Sequence, residues 1–367
     1  MDADGRNVVQ RTTSGSEPSW SPDGGWIAFT CWEHLPHGGA DICTVKADDS
    51  AADPVTVTQH GARVSGPAWS PDGRRIAFLS RRRGWSQVWL IEAPVPRRGR
   101  PQRDPRPPQA TALTPSGVDV EQMAWSPDGG RMAVMAQQSP DDLTTSQIAL
   151  IDVATGETEI VAGEHSHDTG AQWSPDGSLI YVSDADGWFQ VVRRSPDGRD
   201  RIILTEGERE HGEPSGGFGY VPLPSPDGSR VAHIEVHDGL IDVVVRSLGD
   251  GERPKRGRGR PPKAPRTVAA TTTAERISPW DGVWRAVGWL PDGAWVAAIG
   301  ESDRLGRVVQ LLWDDVSGIG DVSIGPLTID DPDLHMHAAA ELKAELEQGL
   351  ERNWSDVNPL KVLRTRK

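Results

Sequence analysis

Trp69-Ser-Pro-Asp-Gly73, followed at once by Arg74-Arg-Ile-Ala-Phe-Leu79, is the stretch on which the fold turns. Ser-Pro-Asp-Gly puts proline at the second position of a turn, where its fixed φ fits, and glycine at the fourth, which reads as a type I turn. Apolar residues stand on both sides, so the stretch reads as strand, turn, strand. The phrase returns at Trp20-Ser-Pro-Asp-Gly24, Trp125-Ser-Pro-Asp-Gly129 and Trp173-Ser-Pro-Asp-Gly177, each time ahead of a short apolar run. Weaker copies are Pro224-Ser-Pro-Asp-Gly228 and Trp289-Leu-Pro-Asp-Gly293. Their starts, at 20, 69, 125, 173, 224 and 289, are 49, 56, 48, 51 and 65 residues apart.

Between the copies lie further short strand patterns. Asp41-Ile-Cys-Thr-Val45 and Pro54-Val-Thr-Val-Thr58 follow the first, Ser86-Gln-Val-Trp-Leu-Ile91 and Ala110-Thr-Ala-Leu-Thr114 the second. Gln147-Ile-Ala-Leu-Ile151 and Phe189-Gln-Val-Val192 take the same place after the third and fourth. About four strands per period is the content of a propeller blade. A blade cannot bury both its faces alone, so the expectation is an all-β, six-bladed β-propeller of four-stranded antiparallel blades over residues 1–330. Blades would start near 18, 67, 123, 171, 222 and 287. Trp20, Trp69, Trp125, Trp173 and Trp289 are expected to cover the gaps between neighbouring sheets. Asp23, Asp72, Asp128, Asp176, Asp227 and Asp292 belong to the recurring turn. The opening Asp2-Ala-Asp-Gly-Arg-Asn-Val-Val-Gln-Arg-Thr12 reads as a turn and a fourth strand. It either pairs with 307–313 and locks the ring or is the remnant of one extra partial blade. Asp331-Pro-Asp-Leu334 reads as an N-cap with proline at the first helical position. Leu334, Ala338, Leu342, Leu346 and Leu350 follow at steps of four, so 331–367 is expected to be a short C-terminal α-helix and basic tail.

The composition fits. The chain has 367 residues, a formal charge of -14 and fifteen tryptophans against two tyrosines and four phenylalanines, which suggests that tryptophan holds a recurring structural position. The acidic balance argues against whole-surface attraction to nucleic acid or anionic membrane. No basic n-region opens the chain and no apolar run reaches the length of a membrane span, so the expected location is the cytoplasm, with no membrane partner. Two cysteines make no disulfide framework. If 26–31 and 40–46 form a hairpin turning near His37, Cys31 and Cys43 stand opposite each other. The default expectation is a pair of free thiols, with a redox switch as the alternative.

These repeats, together with Asp152-Val-Ala-Thr-Gly-Glu157 and Asp184-Ala-Asp-Gly-Trp188, resemble the WD40-like units of TolB-type propellers. They are more similar still to the N-terminal propeller of prolyl oligopeptidase and acylaminoacyl-peptidase family serine peptidases, over roughly residues 1–328. In those enzymes the resemblance implies a propeller that filters substrate for a following α/β-hydrolase domain. The chain departs from that pattern: it holds no Gly-x-Ser-x-Gly nucleophile elbow, and about forty residues follow the last strand pattern. No catalytic residue carries over, and neither a cofactor nor a metal is expected.

Three sets of residues are candidate partner contacts. Two proline-rich basic insertions, at 94–108 and 251–266, both contain Arg-Gly-Arg-Pro and resemble the AT-hook core that lies in a DNA minor groove. Arg98, Arg100, Arg258 and Arg260 would make that contact; the plainer reading is a solvated linker. Glu164-His-Ser-His-Asp168 has no closed zinc spacing, so His165, His167 and Asp168 read as a polar loop at a channel mouth. Glu208, Glu210 and Glu213 could meet a peptide amino group there or form a hydrated turn. The leading expectation is a non-catalytic propeller that binds a protein or peptide. The alternatives are the substrate-gating part of a split or truncated peptidase and DNA association through the basic loops.

Overall fold

The computed structural model describes residues 12, 15–32, 39–48, 53–58, 63–82, 84–94, 109–115, 118–137, 146–161, 166–205, 221–237, 240–248, 266–269, 274–276, 283–289, 295–302, 306–313 and 322–324. From 266 onward it gives backbone strands and, of the side chains, that of Trp289. One compact body spans Gln10–Trp173 and a second begins at Ser174.

The first body is a succession of four-stranded antiparallel sheets, each built in chain order. Ser16–Trp20 (β1), Trp26–Cys31 (β2), Asp41–Lys46 (β3) and Val55–Thr56 (β4) form one sheet. Val64–Trp69 (β5), Arg75–Ser80 (β6), Gln87–Glu92 (β7) and Thr111–Ala112 (β8) form the next. Asp119–Trp125 (β9), Arg131–Gln137 (β10), Ser146–Asp152 (β11) and Thr158–Ile160 (β12) form the third, and Asp168–Trp173 (β13) ends the body. These are the blades of a propeller. The two middle strands of the second sheet are apolar on both faces because that sheet lies between the first and the third. Ile76 and Phe78 of β6 pack with Ala28 and Ile42 of the first sheet, while Ala77 between them joins Val120, Met132 and Val134 of the third. The period of two along a strand thus sends alternate side chains into two different cores.

The second body holds Leu179–Ser183 (β14), Gln190–Arg194 (β15) and Asp200–Ile203 (β16), paired antiparallel in order. Leu223–Pro224 (β17), Arg230–His237 (β18) and Leu240–Ser247 (β19) follow. Arg266–Ala269 (β20) then lies parallel on β16, pairing Asp200 with Arg266. Ala274–Arg276 (β21) completes the β17–β19 sheet. Val283–Trp289 (β22), Trp295–Ser302 (β23), Gly306–Trp313 (β24) and Val322–Ile324 (β25) form a last antiparallel set.

Two expectations are corrected. The all-antiparallel pattern is broken where β20 adds a parallel strand at the edge of β16, whose outer hydrogen-bonding groups offer it a template. Cys31 and Cys43 are not free thiols but bonded to each other, with a Cα–Cα distance of 5.8 Å. The β2–β3 register pairs Phe29 with Cys43 and Cys31 with Asp41, so the two cysteines are diagonal neighbours on one face rather than directly opposite. That separation lies within the range a disulfide spans. Among the described residues there is no helix; the expected helix at 331–367 and the opening segment 2–11 lie outside them.

Candidate functional site

The recurring turn sets which loops face which end of a blade. In the second blade the Ser70 hydroxyl donates to Asp72 Oδ1 at 2.6 Å and accepts from Arg75 N–H at 2.9 Å, while Gly73 N–H donates to the Ser70 carbonyl at 2.8 Å. Asp72 also accepts from Arg74 N–H at 3.0 Å. Ser21 with Asp23, Ser126 with Asp128, and Ser225 with Asp227 repeat this arrangement. So does Ser195 with Asp197 in Ser195-Pro-Asp-Gly198, a copy between third and fourth strands that lacks the leading tryptophan. The fourth Trp-led turn is one residue shorter. There Ser178 takes over both bonds to Asp176, and the buried Ser174 hydroxyl is left without a partner. The hydroxyl bond and backbone N–H groups around each carboxylate hold it below its ordinary range. Ser225, together with Ser229, brings Asp227 down to about 2. Asp292 lies outside the described residues.

At four of the copies the tryptophan reaches back to the preceding copy of the motif. Trp69 Nε1–H donates to the Ser19 carbonyl at 3.1 Å, Trp125 to Ala68 at 3.2 Å, Trp173 to Ala124 at 3.1 Å and Trp289 to Leu223 at 2.7 Å. Each acceptor is the residue just ahead of the preceding copy of the motif. An arginine two residues past the preceding turn covers the ring: Arg75 over Trp125 at 5.4 Å, Arg131 over Trp173 and Arg230 over Trp289, both at 5.0 Å. Trp69 is 6% exposed, whereas Trp20 is 58% exposed. At the fifth copy Pro224 replaces tryptophan and the donor is lost.

With the Ser-Pro-Asp-Gly turns at one end of the blades, the other end carries the loops from second to third strand and the links into each next blade. At that end of the second blade is a cleft of ≈ 280 Å³ lined by Ala40, Arg63, Val64, Ser65, Leu79, Ser80, Arg81 and Ser86. Arg63 immediately precedes β5 and Arg81 immediately follows β6. The register that pairs Val64 with Ser80 sets the two arginines opposite each other, and Arg81 N–H donates to the Arg63 carbonyl at 3.1 Å. Asp119, at the start of the third blade, accepts from Ser86 N–H at 2.7 Å and stands 3.5 Å from the Arg81 guanidinium. Arg82 turns away: it stacks on Trp89 at 4.2 Å and donates to the Ser80 hydroxyl at 3.1 Å. Trp32, the residue after β2, holds in the first blade the place Arg81 holds in the second, and is 49% exposed.

The residues chosen from the sequence fall differently. Arg98, Arg100, Arg258, Arg260, His165, Glu208, Glu210 and Glu213 lie outside the described residues. His167 is half-buried; Asp168 is fully buried at the first position of β13, where its Oδ2 accepts from the Ser166 hydroxyl at 2.8 Å and its carbonyl from Ser146 at 2.7 Å. Among the described residues no group of three or more His, Cys, Asp or Glu could hold a metal ion. Arg63 and Arg81 were not legible as a pair; the visible signal was the Arg81-Arg-Arg83 run after the second strand.

No family model and no curated protein sequence matches the chain. A puromycin-hydrolyzing peptidase of Mycobacterium tuberculosis aligns over 86% of this chain and 45% of its own, at 18% identity and a TM-score of 0.62. Dipeptidyl peptidase 4 of Porphyromonas gingivalis aligns over 92% of this chain and 48% of its own, at 14% identity and TM-score 0.52. A putative TolB from Agrobacterium tumefaciens aligns over 83% and 91%, at 18% identity and TM-score 0.49. The chain therefore spans less than half the length of the two peptidases. Their likeness to it is one of fold: four-stranded antiparallel blades of a β-propeller.

Proposed function

We propose that this protein is a non-catalytic β-propeller that binds a protein or peptide partner at the blade end opposite the Ser-Pro-Asp-Gly turns. One observation carries the reading: Trp32, Arg63 and Arg81 stand at that end of adjacent blades, the first half exposed, the other two lining a cleft. Tryptophan and arginine are the residues most enriched at interfaces and at their energetic centres. Loops at the end of a rigid scaffold are also where such folds carry binding. Partner and substrate identity are not transferable from structures of such low identity, because one fold hosts many activities.

The test is affinity capture on immobilised protein. Wild type should retain a defined partner that Trp32→Ala and Arg81→Ala both release, while Asp152→Ala, in a turn at the other end, keeps it. Equal retention by all four proteins would remove the assignment to this end. A second reading, a substrate-gating part acting beside a separate peptidase, is favoured by the alignment to under half of two peptidases. Its distinguishing result is altered peptide turnover when this chain is added to a hydrolase with which it co-purifies.

A further inference from the structure

We infer that the Arg63–Arg81 cleft takes the carboxylate end of a polypeptide whose last side chain is apolar; this rests on the reading that this end of the blades meets a peptide partner. The two guanidinium groups belong to residues directly opposite each other across β5 and β6, an arrangement in which like charges repel. Asp119 offsets Arg81 from 3.5 Å, but it belongs to the third blade and is also committed to Ser86 N–H. Among the described residues the Arg63 guanidinium has neither a hydrogen bond nor an ion pair. The site thus holds more positive charge than its own acids neutralise, in a chain whose formal charge is -14. An anion seated between the arginines removes that repulsion, and a planar carboxylate matches the guanidinium fork with two parallel bonds.

The rest of the lining selects among anions. Ser65 and Leu79 are the next opposed pair on the same face as the arginines, so Leu79 is the apolar side chain beside them. Ala40 and Val64 also line the cleft but pack into the core on the other face of the sheet. A carboxylate at the arginines with an apolar group one carbon away is the pattern of a C-terminal residue. An aspartate or glutamate side chain, or a phosphate, brings the charge without the apolar neighbour. The volume, ≈ 280 Å³, sits just under the usual range for small-molecule pockets of ~300–1,000 Å³ and suits one terminal residue rather than a whole strand.

The experiment is fluorescence anisotropy with N-terminally fluorescein-capped pentapeptide pools, four positions randomised and the last leucine, compared as free acids and as carboxamides. The free-acid pool is expected to bind and the carboxamide pool to bind about tenfold more weakly or not at all, since the amide keeps the shape of the terminus but gives the two guanidinium groups no charged acceptor. Arg63→Ala and Arg81→Ala should each weaken the free acid by about the same factor, with thermal unfolding confirming that both variants fold. Equal binding of acid and carboxamide would overturn the carboxylate inference and leave peptide binding standing. Equal binding of a pool ending in aspartate, or displacement by millimolar inorganic phosphate, would overturn the terminal apolar assignment. Failure of every pool to bind would overturn both this inference and the peptide-binding reading beneath it.

Discussion

Truncating Trp69 to alanine removes an indole that is 6% exposed and donates to the Ser19 carbonyl, so it opens a cavity and strands an acceptor. The expected loss of unfolding free energy is about 3–5 kcal/mol, readable by denaturant titration. The same change at Trp20, 58% exposed, should fall within about 0.5 kcal/mol. Equal losses at the two sites would show that the indole acts through its own strand rather than through the neighbouring blade. The shortened fourth turn gives a second paired test. Ser178→Ala removes the hydroxyl bond to Asp176, keeps the one from its own backbone N–H, and should cost about 1 kcal/mol. Ser174→Ala removes a buried hydroxyl with no partner and should be neutral or mildly stabilising. The sequence marks Ser174 as the conserved-looking member of the motif; only the one-residue shortening before Leu179 gives away the exchange.

At the scale of single strands and turns, the limits of sequence reading lie in register. The hairpin pairs Trp69 with Ile76 and Ala68 with Ala77, a register that, continued, would set Arg63 opposite Arg82. An irregularity between Ser65 and Ala68 shifts it by one and brings Arg81 there instead. Gly66 makes this possible: its φ of 57° is left-handed, and its N–H is caught at 2.8 Å by Glu17 Oε2 of the preceding blade. The carboxylate that sets the register thus lies 49 residues upstream, beyond the reach of local pattern. The cysteines teach the same lesson, since a hairpin centre displaced by one residue turned an opposed pair into a bonded diagonal one. Closing that short loop should stabilise the first blade by about 3 kcal/mol on the loop-entropy account, so Cys31→Ser with Cys43→Ser should lower Tm without changing binding at the cleft. An unchanged Tm after reduction would show that the hairpin holds its shape without the bond.

For the molecule as a whole, acid is the informative variable. Asp23, Asp72, Asp128, Asp176, Asp197 and Asp227 all titrate below the ordinary carboxylate value. At Asp23, Asp128, Asp197 and Asp227 the serine hydroxyl bond is the leading cause, while at Asp72 and Asp176 partial burial opposes the shift and hydrogen bonds prevail. A depressed folded-state value means the stabilisation is fully present above the unfolded value of 3.8 and is lost as pH falls towards about 2. Unfolding midpoints should therefore hold steady above pH about 4 and drop below it; flat behaviour down to pH about 2 would show that the turns are indifferent to their aspartates. The blade pattern itself was legible because it is periodic: tryptophan, Ser-Pro-Asp-Gly and the apolar run recur, so each copy corroborates the others. The cleft was not, because Arg63, Arg81 and Asp119 meet only once three strands from two blades are in register.

Every indole bond described above runs from a later tryptophan to an earlier carbonyl. As the chain leaves the ribosome, Ser19 is therefore already seated when Trp69 emerges, and Ala68 when Trp125 does. For these bonds each new blade docks on one already made, so the indole contacts of the first body can form in the order of synthesis.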